Sequence, residues 1–275
     1  MWTTLAEAVV ITPSLSDSRR AYVDQLGYRE VWRGPTPDDG PDNASGLQGA
    51  PAMTLASSSG HPFRLHLIED RSAEPAQAFA VPGWAALELV VADLHGLAAR
   101  LDKGVLPWVG PPRRLELSFT DKISAMQVRG PAGELLYLTE IAGETPGFAL
   151  PRAKSEVDQV FAAILGVSEL DRSAAWWAET LGQAVPKPIA SRVTGIAQAY
   201  GLGDDARHQL ATFPLRDEAL IELDQLPPQP ALQSRPQPQP RPRAGLAGVT
   251  LTGRGGGEAR HLRGPDGESL TLKGA

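Results

Sequence analysis

The sequence predicts an α+β protein made of four copies of one β-α-β-β-β module, the last of them without its helix. Three observations carry this. Arg129–Leu138 reads RGPAGELLYL and Arg263–Leu272 reads RGPDGESLTL, with seven of ten positions identical. LSDSRRAYVDQLG at Leu15–Gly27 is answered by LDRSAAWWAETLG at Leu170–Gly182. Strand-like alternation then surrounds these segments in the same order each time. Self-similarity of this kind marks a repeated supersecondary unit, and it directs the search for a site to the space where units face one another.

In module one, Glu7–Thr12 alternates as a strand and stops at Pro13. Ser14 or Ser16 can cap a helix that ends near Leu26, with Gly27 closing it. Tyr28–Arg33 is the next strand. Thr36–Gly49, rich in Pro, Gly, Asp and Asn, is a loop. Ala52–Ser57 and Phe63–Ile68 form a hairpin through Ser58–Pro62. Module two repeats the order. Trp84–Val91 is a strand, Leu94–Asp102 a helix stopped at Gly104, and Arg114–Phe119 a strand. Lys122–Arg129 and Glu134–Glu140 flank the turn Gly130-Pro131-Ala132-Gly133.

Module three has a strand at Val160–Val167, a helix at Glu169–Leu181 closed by Gly182, and strands near Ser191–Tyr200, Gln209–Pro214 and Ala219–Asp224. Residues 227–243 (PPQPALQSRPQPQPRPR) read as a stiff polyproline-type spacer. Module four has strands at Leu246–Thr252 and Glu258–Arg263 before its hairpin. The chain between them has no room for a helix, and the Gly255–Gly257 run is a turn rather than a phosphate loop.

Composition narrows the function. With 275 residues and 42% hydrophobic residues, the chain can build a full core. A net charge of -6 argues against a nucleic-acid partner, which needs a concentrated basic face. There is no cysteine, hence no disulfide framework, thiolate metal site or thiol nucleophile. No stretch approaches the roughly 20 apolar residues that span a bilayer, and no basic region precedes the first apolar run. A cytoplasmic protein without a membrane partner is the expectation.

Strand-helix-LG units ending on GPxGE hairpins resemble the vicinal oxygen chelate superfamily, which includes glyoxalase I, bleomycin-resistance proteins and extradiol dioxygenases. The resemblance implies two glyoxalase-like domains. Residues 1–142 would hold modules one and two, 143–157 would be a linker, and 158–275 would hold modules three and four. In that superfamily two modules form a cupped sheet around the site, and metal ligands come from first and last strands. The corresponding positions here are Glu7, Ala86 and Ala162 in first strands, and His66, Tyr137, Glu222 and Thr271 in last strands. The second half then lacks a donor set, which removes the dioxygenase reading because that chemistry needs two histidines and a carboxylate. No cofactor is expected; a divalent metal, if held at all, would use Glu7 and His66.

Alternation next assigns faces. Glu7, Val9 and Ile11, then Arg64, His66 and Ile68, then Trp84, Ala86 and Glu88, then Leu135, Tyr137 and Thr139 would point into the first cup. Ala8, Val10, Leu65, Leu67, Leu87, Leu89, Leu136 and Leu138 would pack under the helices. A mixed acidic, basic and aromatic interior is costly as plain core, so it reads as a substrate pocket. His66 would transfer the proton, Glu7 or Glu88 would orient it or act as base, and Tyr137 would donate to an oxyanion. Arg64 would hold an anionic oxygen, Trp84 would form a wall, and Thr139 would bind substrate. The simpler reading is that these groups satisfy one another on a wet sheet face. Glu222 and Asp224 read as an exposed acidic strand end, and His61, His95, His208 and His261 as surface histidines. Of Trp176 and Trp177, one should be core.

The expected function is therefore a metal-independent lyase or isomerase acting on a small organic molecule. The alternative is a protein of the bleomycin-resistance type that binds and sequesters an antibiotic or metabolite. Modules can pair within one chain or be exchanged between two, so a homodimer stays open.

Overall fold

The computed structural model describes residues 2–37, 46–117, 120–203, 205–228, 244–253 and 258–274. Residues 229–243 of the proline-rich segment and the Gly255–Gly257 run lie outside the described residues. Module one comprises β1 (Trp2–Thr12), α1 (Leu15–Arg19) continuing into a π-helical turn (Arg20–Gln25), β2 (Arg29–Pro35), β3 (Pro51–Ala56) and β4 (Arg64–Glu69). Module two comprises β5 (Gly83–Val91), α2 (Leu94–Arg100), β6 (Trp108–Arg114), β7 (Ile123–Arg129) and β8 (Leu135–Ile141). Module three comprises β9 (Val157–Val167), α3 (Leu170–Leu181), β10 (Ile189–Arg192), α4 (Thr194–Tyr200), β11 (Arg207–Pro214) and β12 (Leu220–Gln225). Module four supplies β13 (Gly245–Gly253), β14 (Arg260–Arg263) and β15 (Ser269–Gly274), with no helix among its described residues.

The helix signals act as the sequence implies. The Ser14 hydroxyl accepts from the Asp17 N–H at 3.1 Å, and Asp93 accepts from the Gly96 N–H at 2.9 Å. Gly182 closes α3 in the left-handed region. Two expected strands differ. β6 ends at Arg114, where the sequence reading began it. The expected strand at Ser191–Tyr200 is a short strand followed by α4, which buries Ile196 and Ala197 and ends on left-handed Gly201. That glycine is a helix stop, and a strand reading passes over it.

Within every module the first and last strands run parallel: β1 with β4, β5 with β8, β9 with β12, β13 with β15. Each first strand therefore keeps one free edge, and two modules join by pairing these edges antiparallel. The expected partners were modules one and two. The structure instead joins module one to four through β1–β13, and module two to three through β5–β9. The result is a seven-stranded sheet, β14-β15-β13-β1-β4-β3-β2, and an eight-stranded sheet, β10-β11-β12-β9-β5-β8-β7-β6.

Charge spacing across the seam is one contribution to this choice. Thr250 pairs with Thr271 as Glu88 pairs with Tyr137, so Thr250 and Glu88 are equivalent positions. Glu7 lies opposite Thr250. Pairing modules one and two in that register would set Glu7 opposite Glu88, and like charges directly opposite are destabilising. In the observed arrangement Glu88 faces Ala162.

The helix-bearing faces of both sheets share one core, which contains Leu5, Tyr22, Leu65, Leu87, Leu165 and Trp177. All eight residues expected under the helices are buried there. The repeated hairpins tie the halves together. Glu134, in the first GPxGE, accepts from the Tyr22 hydroxyl of module one at 2.6 Å. Asp266, in the second, accepts from Ser173 of α3 at 2.9 Å. Gly133 is required at its turn: it sits at φ +90°, and a Cβ there would lie 1.9 Å from the Ala76 carbonyl oxygen. No helix is long and apolar enough to cross a membrane among the described residues.

Candidate active site

The pairing divides the expected cup. Glu7, Arg64 and His66 lie on the seven-stranded sheet, whereas Trp84, Glu88, Tyr137 and Thr139 lie on the eight-stranded one. The assumption that all seven share one interior is corrected accordingly.

The eight-stranded sheet curls around a cavity of about 380 Å³. Its edge strands β6 and β10 approach each other at the mouth, and α4 spans the gap. The Gln198 side chain donates to the Val109 carbonyl at 2.7 Å, and Arg113 donates to the Thr194 hydroxyl at 3.2 Å. Arg192 on β10 reaches Glu116, just past β6, at 3.6 Å. Phe148, Leu150, Phe161, Ile164, Leu210 and Leu220 are among the apolar wall residues. Phe148 and Leu150 come from the segment between β8 and β9, so part of the expected linker is cavity wall.

Glu88, Tyr137, Thr139 and Glu222 also line this cavity. Thr139 donates to Glu88 Oε1 at 2.5 Å. Burial pushes the Glu88 carboxyl up to about 7, opposed by the Thr139 hydrogen bond. Burial, then the neighbouring Asp224 and Glu88, raise Glu222 well above the usual carboxylate range. Asp224 beside it is fully buried and shares a side-chain hydrogen bond with Glu222. Burial is the main cause that lifts it to about 7. Burial, then Asp224, Glu222 and Glu88, hold the Tyr137 phenol above its usual range. Glu222 and Asp224 are therefore interior groups, not the exposed strand end expected. Carboxyls kept together in a poorly solvated site share protons, because neighbouring charges cannot both form cheaply.

Other expectations resolve differently. A bulge between Trp84 and Ala86 breaks the alternation, so Trp84 turns to the shared core. There it meets Trp177 edge-on at 5.9 Å and donates to the Ser269 carbonyl at 2.8 Å. Trp177 is the core tryptophan of its pair, fully buried. Arg64 donates to the His61 and Phe63 carbonyls at 2.9 Å each, tied to its own loop. In the seven-stranded sheet, His66 Nδ1 lies 2.9 Å from the Thr54 hydroxyl, and its ring lies 5.8 Å from that of Trp32. Burial, then Lys273, lower the His66 pKa. Burial raises Glu7, opposed by Lys273, and Glu7 Oε1 is buried without a partner. His208 is buried rather than exposed, with Nε2 unpartnered.

Arg113 and Arg192 went unnoticed in the sequence. Strand alternation cannot show that two opposite sheet edges meet, and only the α4 stop signal at Gly201 hinted at a cap between them.

The positions that relatives use for metal were tested against these side chains. In the eight-stranded cup the positions read from the sequence are Ala86, Tyr137, Ala162 and Glu222; Ala86 and Ala162 offer no donor, and the residues that pair with Tyr137 and Glu222 are Glu88 and Ile164. Among the described residues no three His, Cys, Asp or Glu side chains converge as a metal site. A catalytic divalent ion usually needs about three protein ligands. Glu88 and Glu222, beside a phenol and an isoleucine, supply two carboxylates and fall short of that number.

No protein-family model and no curated protein sequence matches the chain. Solved structures do. A putative dioxygenase from Bacillus subtilis superposes with a TM-score of 0.64 at 13% identity, covering 99% of this chain and 85% of that one. Glyoxalase I from Zea mays superposes with a TM-score of 0.61 at 14% identity, covering 98% and 92%. The chain has the glyoxalase fold. The match extends over both sheets of this glyoxalase-fold chain, so its likeness is to tandem, four-module proteins. Fold does not fix activity, and the site must carry that argument.

Proposed function

We propose that this protein binds a small organic molecule in the cup of the eight-stranded sheet and moves a proton on it without a metal, as a lyase or isomerase would. The observation that carries the reading is Glu88. It is a carboxyl on the floor of an apolar cavity, titrating near neutrality and aimed by Thr139. A group whose pKa matches the working pH is the most effective general acid or base. Glu88 takes a proton from a carbon next to a carbonyl, Glu222 holds or returns one, and Tyr137 donates to the oxygen that gains charge. The apolar part of the wall lowers the local polarity, which strengthens each of these interactions.

A second reading is binding without turnover. It is favoured by the largely apolar walls and by the absence of histidine from the described residues that line the cavity.

The test is deuterium exchange. A panel of small ketones, aldehydes and keto acids is incubated in D₂O and followed by NMR. Turnover predicts exchange next to the carbonyl that falls by about 10²–10⁴-fold in Glu88→Gln. Exchange that persists in Glu88→Gln overturns the assignment. A compound that binds in the cup yet exchanges nothing favours the second reading. Elemental analysis of protein purified without chelator should find no stoichiometric divalent ion; finding one overturns the metal-independent mechanism.

A further inference from the structure

The mouth of the cup has a charge pattern that the proton-transfer proposal leaves unused. Arg113 comes from edge strand β6 and Arg192 from edge strand β10, and both line the cavity. Arg113 is half-buried and donates only to the Thr194 hydroxyl at 3.2 Å. Among the described residues it has no carboxylate within ion-pair distance. Its charge reaches inward, where it counters the rise in the Tyr137 pKa. Arg192 does have acidic partners, Asp205 at 3.1 Å and Glu116 at 3.6 Å. Both acids are mostly exposed, at 91% and 67%, so solvent weakens their hold. Arg192 Nε is buried and has no partner at all.

A buried guanidinium N–H without an acceptor is costly, and a planar fork suits a carboxylate or similar oxyanion. The carboxyls deeper in the cup do not make it a cation site. Burial raises their pKa values, which weakens their hold on a cation.

We infer that the ligand is an organic anion, with its oxyanion head between Arg113 and Arg192 and an apolar, ring-bearing body against Phe161 and Leu210. This rests on the reading that the cup is the ligand site. The head is held at the mouth, and the body is carried down to Glu88 and Tyr137. Substrates of this class are carboxylates or sulfonates whose reacting carbon lies several bonds from the charge.

Two fluorescent probes with the same rings separate charge from shape: 8-anilinonaphthalene-1-sulfonate and the uncharged N-phenyl-1-naphthylamine. The full chain should bind the sulfonate at least about tenfold more tightly, and Arg113→Gln should abolish that preference while leaving the neutral probe unchanged. Arg71→Gln, the same loss of charge on the seven-stranded half, should change neither. Ala125→Trp, or Thr212→Trp if that variant fails to fold, fills the cup and should block both probes. Equal affinities that both fall on filling the cup would overturn the anion class and leave the cup reading standing. A loss in Arg113→Gln shared by both probes would overturn the role of Arg113 in reading charge. Binding of both probes that survives a folded cup-filling variant would overturn the cup reading itself.

Discussion

The eight-stranded and seven-stranded halves start from the same module and end with different interiors. In the eight-stranded half, α4 ties edge β10 to edge β6, and the curled sheet encloses a cavity. In the seven-stranded half, edge strand β2 leaves Val31 and Trp32 exposed, and the Trp32 ring covers His66. Both halves carry inward polar residues. Where a cap joins the edges of the eight-stranded sheet, those residues face a space that can hold a ligand. Closure at the rim, rather than the polarity of the strands, sets the proposed site apart.

Four experiments would break or sharpen this contrast. The largest effect should come from Trp177→Ala, which empties the core shared by both halves. A loss of about 3–5 kcal/mol is expected, with one cooperative transition in calorimetry. Two separated transitions would mean that the halves do not depend on each other.

Next is pH. Glu88, Glu134 and Asp224 are each raised to about 7, chiefly by burial. A carboxyl with a raised folded pKa favours folding most below its unfolded pKa, and that stability is lost as pH rises through the folded value. Urea unfolding midpoints should therefore fall as pH climbs from about 4 to about 7 and level off above that. Asp224→Asn should flatten this slope, and a slope unchanged in that variant would mean that Asp224 does not titrate there. Glu7→Gln should flatten it less, because Lys273 already offsets the burial of Glu7.

Third, Tyr22→Phe should cost about 1–3 kcal/mol, since it leaves the buried Glu134 carboxyl short of a donor. Chemical denaturation measures this, and a neutral result would show that the first GPxGE hairpin does not secure the two halves. The smallest effect belongs to His66→Ala. It should leave probe affinity in the eight-stranded cup within about twofold, because distant sites act independently. A larger change would put the seven-stranded half back into the site.

Local structure was readable in the chain. The repeated hairpin, the caps at Ser14 and Asp93 and the apolar faces all follow from short-range physics, and so does the placing of Glu88, Tyr137 and Thr139 on an inner face. The partner of each module was harder, because every first strand offers the same free edge. The clash of Glu7 with Glu88 counts against the expected pairing, and it appears once registers are compared. Trp84 was misplaced because one bulge reverses a face. Arg113 and Arg192 were missed because their meeting depends on how far a sheet curls.

The nested pairing has a consequence for biogenesis. Residues 83–225 contain every strand of the eight-stranded sheet in one uninterrupted run. That sheet can assemble while the ribosome is still making the C-terminal part. β1, made before that run, must wait for β13, made after it. Until then the nascent chain carries a bare, apolar strand edge, which is the kind of surface that aggregates or recruits chaperones. Truncation before Gly245 should thus leave an insoluble product, and slowing translation between β12 and β13 should harm yield more than slowing it within residues 83–225.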